Sequence, residues 1–201
     1  MDPAKPVVQA LLPDALVERL LRPAYSRLRD VRILGEPDRR FLHRQIVPAL
    51  RRSGIRRLLF VGVRSYTRGT LRQLQDAGIE VWTTDIDPAA QAFGVKGRHL
   101  TADIRSLSSG MLPFQPDAIV MNGVLGYGVD SEADCAQTLA SVADLLPPNG
   151  RLLLGWNTDR CPDIPALSAA AGLAPAALPG LEQTVTFPGS THVYTFLVKP
   201  A

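Results

Sequence analysis

Two runs, Leu58-Leu59-Phe60-Val61 and Ala118-Ile119-Val120-Met121, contain no polar residue at alternate positions, so a strand built from either has no face for water. Such strands belong inside a sheet covered on both sides, which in turn requires helices above and below it. From Arg57 onward, strand-like and helix-like segments do alternate. Strands are expected at Arg57 to Gly62, Glu80 to Asp85, Arg98 to Ala102, Ala118 to Asn122 and Arg151 to Trp156. Helices are expected near Gly69 to Ala77, from Pro88, and over Ser131 to Leu146. The right-handed crossover rule folds this series into one doubly wound layer.

The chain ends differently. After a proline- and alanine-rich stretch from Pro162 to Gly180, two β-rich runs, Glu182 to Phe187 and His192 to Val198, flank Pro188-Gly189-Ser190. Strands joined by so short a turn are antiparallel. The expected fold is α/β: a doubly wound, mostly parallel seven-stranded sheet with helices on both faces and a C-terminal antiparallel hairpin. An N-terminal helical extension precedes it. There, residues 7 to 30 read as short broken helices with Leu12, Leu16, Leu20 and Leu21 on one face, and a second helix spans roughly Asp38 to Ser53 with Phe41, Leu42, Ile46 and Leu50 inward. Gly54 stands where a C-cap glycine belongs. The expected division is 1–55 as helical lead-in and 56–201 as one compact unit.

Composition narrows the function classes. At 201 residues the chain has the size of one domain, and 46% hydrophobic with 20% charged residues is ordinary globular usage. No apolar run reaches the roughly 20 residues of a membrane helix. Asp14, Glu18, Arg19 and Arg22 interrupt every apolar stretch near the start, which does not fit a secretory leader, so a cytoplasmic location is expected. Cys135 and Cys161 have neither CxxC spacing nor a histidine cluster nearby, so neither zinc nor a disulfide framework is expected. Most of the arginine lies between Arg19 and Arg72, but no aromatic residues are interleaved to stack bases. Nucleic acid is therefore not the expected partner.

The chemistry-bearing residues fall at strand ends. Gly62 closes the first strand where the backbone must turn sharply, and Asp85 closes the second, where a carboxylate accepts two hydroxyls of a vicinal diol. A backbone turn at one strand end beside a carboxylate at the next is how an α/β sheet holds a nucleoside. Asp87, one residue before Pro88, fits an N-cap instead.

Several stretches together resemble class I S-adenosylmethionine-dependent methyltransferases, from about Arg57 to the end. Leu58-Leu59-Phe60-Val61-Gly62 is similar to the first strand and the start of motif I, and Thr84-Asp85-Ile86-Asp87-Pro88 to the acidic end of the second strand. Asp103 in Thr101-Ala102-Asp103-Ile104 stands at the acid after the third strand, and Pro116 to Gly123 resembles motif IV. Leu145-Leu146-Pro147-Pro148-Asn149-Gly150-Arg151-Leu152 resembles the helix, turn and fifth strand.

The resemblance implies S-adenosyl-L-methionine as cofactor. It would be bound by the loop Gly62, Val63, Arg64, Ser65, Tyr66 and Thr67, by Asp85 at the ribose, by Asp103 and Ile104 at adenine with Ile86 as an apolar face for the base, and by Asn122 and Gly123 near the methionine end. Leu107 would help to face the base. Arg64 departs from the pattern, standing where motif I usually has its second glycine. A guanidinium there suits a clamp on the methionine carboxylate, with Tyr66 as cover. Tyr127 and Asp130 are the candidates for acid–base work, with His43 and His99 as further ones. The resemblance implies methyl transfer to an O- or N-nucleophile on a small molecule; the alternative is a non-catalytic binding or regulatory protein of the same fold. A nicotinamide dehydrogenase is disfavoured because GxGxxG is absent after the first strand.

Overall fold

The computed structural model describes residues 28–201. Eight strands form one sheet: β1 Arg57–Val61, β2 Glu80–Asp85, β3 His99–Thr101, β4 Ala118–Asn122, β5 Arg151–Asn157, β6 Ala174–Pro175, β7 Thr184–Thr186 and β8 His192–Val198. Their order is β3-β2-β1-β4-β5-β8-β6, with β7 also on β8. The first five are parallel, and β8 runs antiparallel to β5 along its whole length. β6 pairs with Leu197 and Val198 of β8, and β7 with Val193 to Thr195. Both lie on the same free edge, so the sheet has seven rows, as the sequence predicts, with the last row broken in two.

Side chains of β1 alternate between two cores. Leu59 and Val61 join Ile119, Met121, Leu152 and Leu154 beneath helix Glu132–Leu145, whose Leu139 and Val142 complete that layer. Leu58 and Phe60 join Val120, Leu153 and Phe196 on the opposite face, against Leu42, Ile46, Leu50, Leu71 and Leu74. Burial of each such large side chain stabilises the fold by roughly 1.5–3 kcal/mol. The second core includes N-terminal helical residues, so the described part of the lead-in packs as a layer of the same body.

The helix expected over Asp38 to Ser53 is three segments: Pro37–Phe41, a π-helical turn Leu42–Ile46, and Val47–Arg52. Pro48 supplies the cause, since it has no N–H for the Arg44 carbonyl and its ring crowds that position. The proline- and alanine-rich stretch, to which the sequence reading assigns no element, holds helix Ile164–Ala170 and β6. Asp163 caps that helix through Ala166 N–H, and Pro165 occupies its first turn, where no amide partner is needed. The broken helices expected over residues 7 to 30 lie outside the described residues, apart from a helical run at 28–35.

Successive strands depart from β1 in two directions, to β2 and β3 on one side and to β4 and β5 on the other. The carboxyl ends of β1 and β4 therefore flank a topological switch point, where an open α/β sheet leaves a crevice.

Candidate functional site

That crevice is a cleft of about 410 Å³, lined among others by Gly62, Arg64, Tyr66, Asp85, Ile86, Asp103, Ile104, Asn122, Gly123 and Tyr127. Its size lies within the usual range for small-molecule sites. Gly62 turns the chain at φ +82°, and a Cβ there would meet Val124 Cγ2 at 2.9 Å. Both conditions exclude a side chain.

Asp85 is the buried carboxylate of the cleft, its side chain only 4% exposed. Its Oδ1 accepts the Asp87 N–H at 2.9 Å; its Oδ2 accepts the Val63 N–H at 2.8 Å and Arg64 Nη1 at 2.6 Å. The same Nη1 donates to the Val63 carbonyl at 2.6 Å. Arg64 thus turns back onto the β2 acid. The Val63 side chain is in the core and does not line the cleft. Ser65, Tyr66 and Thr67 form a 3₁₀ turn, in which buried Thr67 bonds both the N–H and the carbonyl of Arg64 through its hydroxyl. Asp87 caps the 3₁₀ helix Pro88–Phe93 through Ala89 N–H.

A second arginine holds the second acid. Arg105 donates from Nε and Nη2 to Asp103, the shortest contact being 2.6 Å, and from Nη1 to Asp134 at 2.6 Å. The Arg105 hydrogen bonds hold the Asp103 carboxyl below its ordinary range. Asp103 also accepts the Arg105 N–H, which makes it a turn aspartate as well. Ile86 is 62% exposed and faces the cleft, whereas Leu107 is buried in the core and does not supply the apolar face expected of it.

At the end of β4, Asn122 Nδ2 donates to the Tyr194 hydroxyl at 3.0 Å, which in turn donates to the Asp38 carbonyl at 3.3 Å. This chain ties the cleft to the N-terminal segment. Asn122 Oδ1 is buried with no hydrogen-bond partner. Gly123 takes φ +70° and donates to the Gly155 carbonyl.

The acid–base candidates separate. Tyr127 lines the cleft, with Arg160 over its ring at 4.7 Å and its hydroxyl 3.4 Å from Asn157 Oδ1. Asp130 is exposed, caps the Gly128 N–H at 3.2 Å and is not part of the lining. His43 packs between helices, bonded to Gln73 and Thr70, and borders a different surface hollow. His99 is tied to Thr83 below the sheet edge, and burial lowers its pKa.

A second cavity of about 330 Å³ adjoins the first and shares Tyr66, Gly123 and Tyr127 with it. Asp38, Arg39, Asn157 and His192 form its polar wall. Sequence reasoning missed this wall, because Asp38 and Arg39 are far from β8 in the chain and a lone histidine reads as a packing residue. No group of three or more His, Cys, Asp or Glu residues is arranged for a metal among the described residues, and none of their helices is long and apolar enough to cross a membrane.

No protein-family model and no curated protein matches the chain. Solved structures do. The N-methyltransferase NodS from Bradyrhizobium japonicum WM9 superposes with a TM-score of 0.66 at 16% identity, covering 84% of this chain and 99% of that one. A TehB-like SAM-dependent methyltransferase from Corynebacterium glutamicum gives 0.63 at 20% identity, with 88% and 99% covered. The 1,6-didemethyltoxoflavin-N1-methyltransferase of Burkholderia thailandensis, solved with its substrate and S-adenosylhomocysteine, gives 0.57 at 17% identity, with 93% and 88% covered.

The fold is that of class I S-adenosylmethionine-dependent methyltransferases. In this methyltransferase fold, the β1–β2 and β4 ends described above are the strand ends at which the sequence predicts the cofactor.

Proposed function

We propose that the chain transfers a methyl group from S-adenosyl-L-methionine to an O- or N-nucleophile on a small molecule. The observation that carries this reading is the open cleft between the Gly62 turn and the buried Asp85 carboxylate, with Asp103 one strand further out. The cofactor fits these residues. Asp85 keeps a free lone pair on Oδ1 for a ribose hydroxyl, and a second becomes free when Arg64, 46% exposed, swings outward. Asn122 lines the cleft at the β4 end, where the methionine ammonium would lie.

Held by Asp85, Asp103 and Asn122, the cofactor would supply an electrophilic sulfonium methyl for in-line displacement by the acceptor, whose proton would pass to solvent. The chain contributes alignment, for which holding two reactants together supplies up to ~7–11 kcal/mol. Gly62 and Gly123 turn the backbone at the cleft, where Tyr66 and Tyr127 line the wall.

One observation favours a second reading, a non-catalytic binding protein: Arg64 already occupies Asp85 at 2.6 Å. Calorimetric titration with S-adenosylhomocysteine separates the two. Binding in the micromolar range that Asp85→Ala weakens supports the enzyme; no binding below millimolar concentrations supports the second reading.

A further inference from the structure

We propose that the second cavity holds the methyl acceptor and selects an amine, through hydrogen bonds to His192 Nε2 and the Asp38 carboxylate. This rests on the methyltransferase reading. His192 sits at the start of β8 with its side chain 8% exposed, packed against the rings of Tyr194 and Phe187. Its Nδ1 faces Asn157 Oδ1 at 3.3 Å, and the Asn157 amide nitrogen donates to Thr191 Oγ1 at 2.9 Å. Asn157 Oδ1 also accepts from Tyr127, so it offers lone pairs and the Nδ1 carries the proton. The lone pair of the imidazole is then on Nε2.

That nitrogen is buried without a hydrogen-bond partner and stands 3.7 Å from Asp38 Oδ2. Two hydrogen-bond acceptors thus face one another with no donor between them. Asp38 Oδ2 already has Arg39 Nε at 3.4 Å, but His192 Nε2 has no donor, which is costly for a buried acceptor, and a nitrogen bearing two N–H groups bonds both at once. The charged lining of the cavity is two carboxylates, Glu36 and Asp38, and one guanidinium, Arg39. Arg39 is itself turned aside, paired with Asp38 at 3.4 Å and lying over the Tyr66 ring at 5.4 Å. Burial keeps the imidazole neutral, lowering its pKa to about 4 against the pull of Asp38, with Arg39 acting in the same direction as burial. An amine anchored by N–H bonds on this wall lies one shared boundary, Tyr66–Gly123–Tyr127, from the cofactor cleft. No residue in the earlier set of acid–base candidates performs this anchoring.

The test is nitrogen-15 NMR of the histidine side chains in the full chain saturated with S-adenosylhomocysteine. Two amines, glucosamine and 2-phenylethylamine, are each compared with a hydroxyl counterpart, glucose and 2-phenylethanol. At least one amine is expected to shift the His192 Nε2 resonance, with its counterpart at least about tenfold weaker, and Asp38→Asn to weaken the amine about tenfold. His192→Gln, checked for native dispersion, removes the response. The proposal is overturned if neither amine shifts His192, if the hydroxyl compounds shift it equally, or if Asp38→Asn leaves the response intact. Calorimetry with S-adenosylhomocysteine alone reports on the other cavity, so failure of the cofactor reading is visible separately.

Discussion

Arg64 Nη1 lies 2.6 Å from Asp85 Oδ2, on the same oxygen that accepts the Val63 N–H. The loop that replaces the second motif I glycine with arginine therefore closes onto the strand-end acid, instead of pointing a free cation into the cleft.

The sign of an Arg64 substitution follows from that contact. Arg64→Ala removes a competitor for Asp85, and a half-exposed ion pair is worth up to about 1 kcal/mol, so S-adenosylhomocysteine should bind up to about fivefold more tightly. Weaker binding in calorimetry would instead assign Arg64 to the cofactor's carboxylate.

Gly62→Ala should destabilise the protein by at least about 1 kcal/mol. The new methyl group meets Val124 Cγ2 at 2.9 Å, on a backbone at φ +82° that L-residues adopt only at a cost. Urea denaturation reads this directly, and an unchanged midpoint would refute the close approach.

Stability should fall as the pH drops from about 6.5 towards about 4, in a His192-dependent manner. The folded imidazole stays neutral down to about 4 because of burial, while the unfolded one takes up a proton near the ordinary histidine value of about 6.5. The unfolded state therefore binds more protons throughout that window, and acid favours unfolding by up to about 3 kcal/mol. His99 contributes with the same sign, so the check is the difference between wild type and His192→Gln across the window. Parallel pH profiles would contradict it.

The parallel strands were legible because β1 and β4 are apolar runs and β2 a β-branched and aromatic one, each ending at a turn residue: β2 and β4 fall on the residues expected, and β1, β3 and β5 within one. Asp87 was legible as a cap because Pro88 follows it. Helix Ile164–Ala170 was not, since Pro162 and Pro165 read as loop even though Asp163 and Pro165 make an ordinary helix start. Arg105 was missed because its partners, Asp103 and Asp134, come together only when helix Glu132–Leu145 packs beside the β3 end. Pairings made by tertiary packing leave no period in the sequence, and the Asp38–His192 wall was hidden in the same way.

The central claim is that the cleft between Gly62 and Asp85 seats an adenosyl group. Calorimetric titration of S-adenosylhomocysteine into the wild-type chain and Asp85→Ala tests it most directly. The account predicts micromolar binding to the wild type and a loss of roughly 1.5–3 kcal/mol in the variant. Absence of binding below millimolar concentrations, or equal affinity for both proteins, would contradict it.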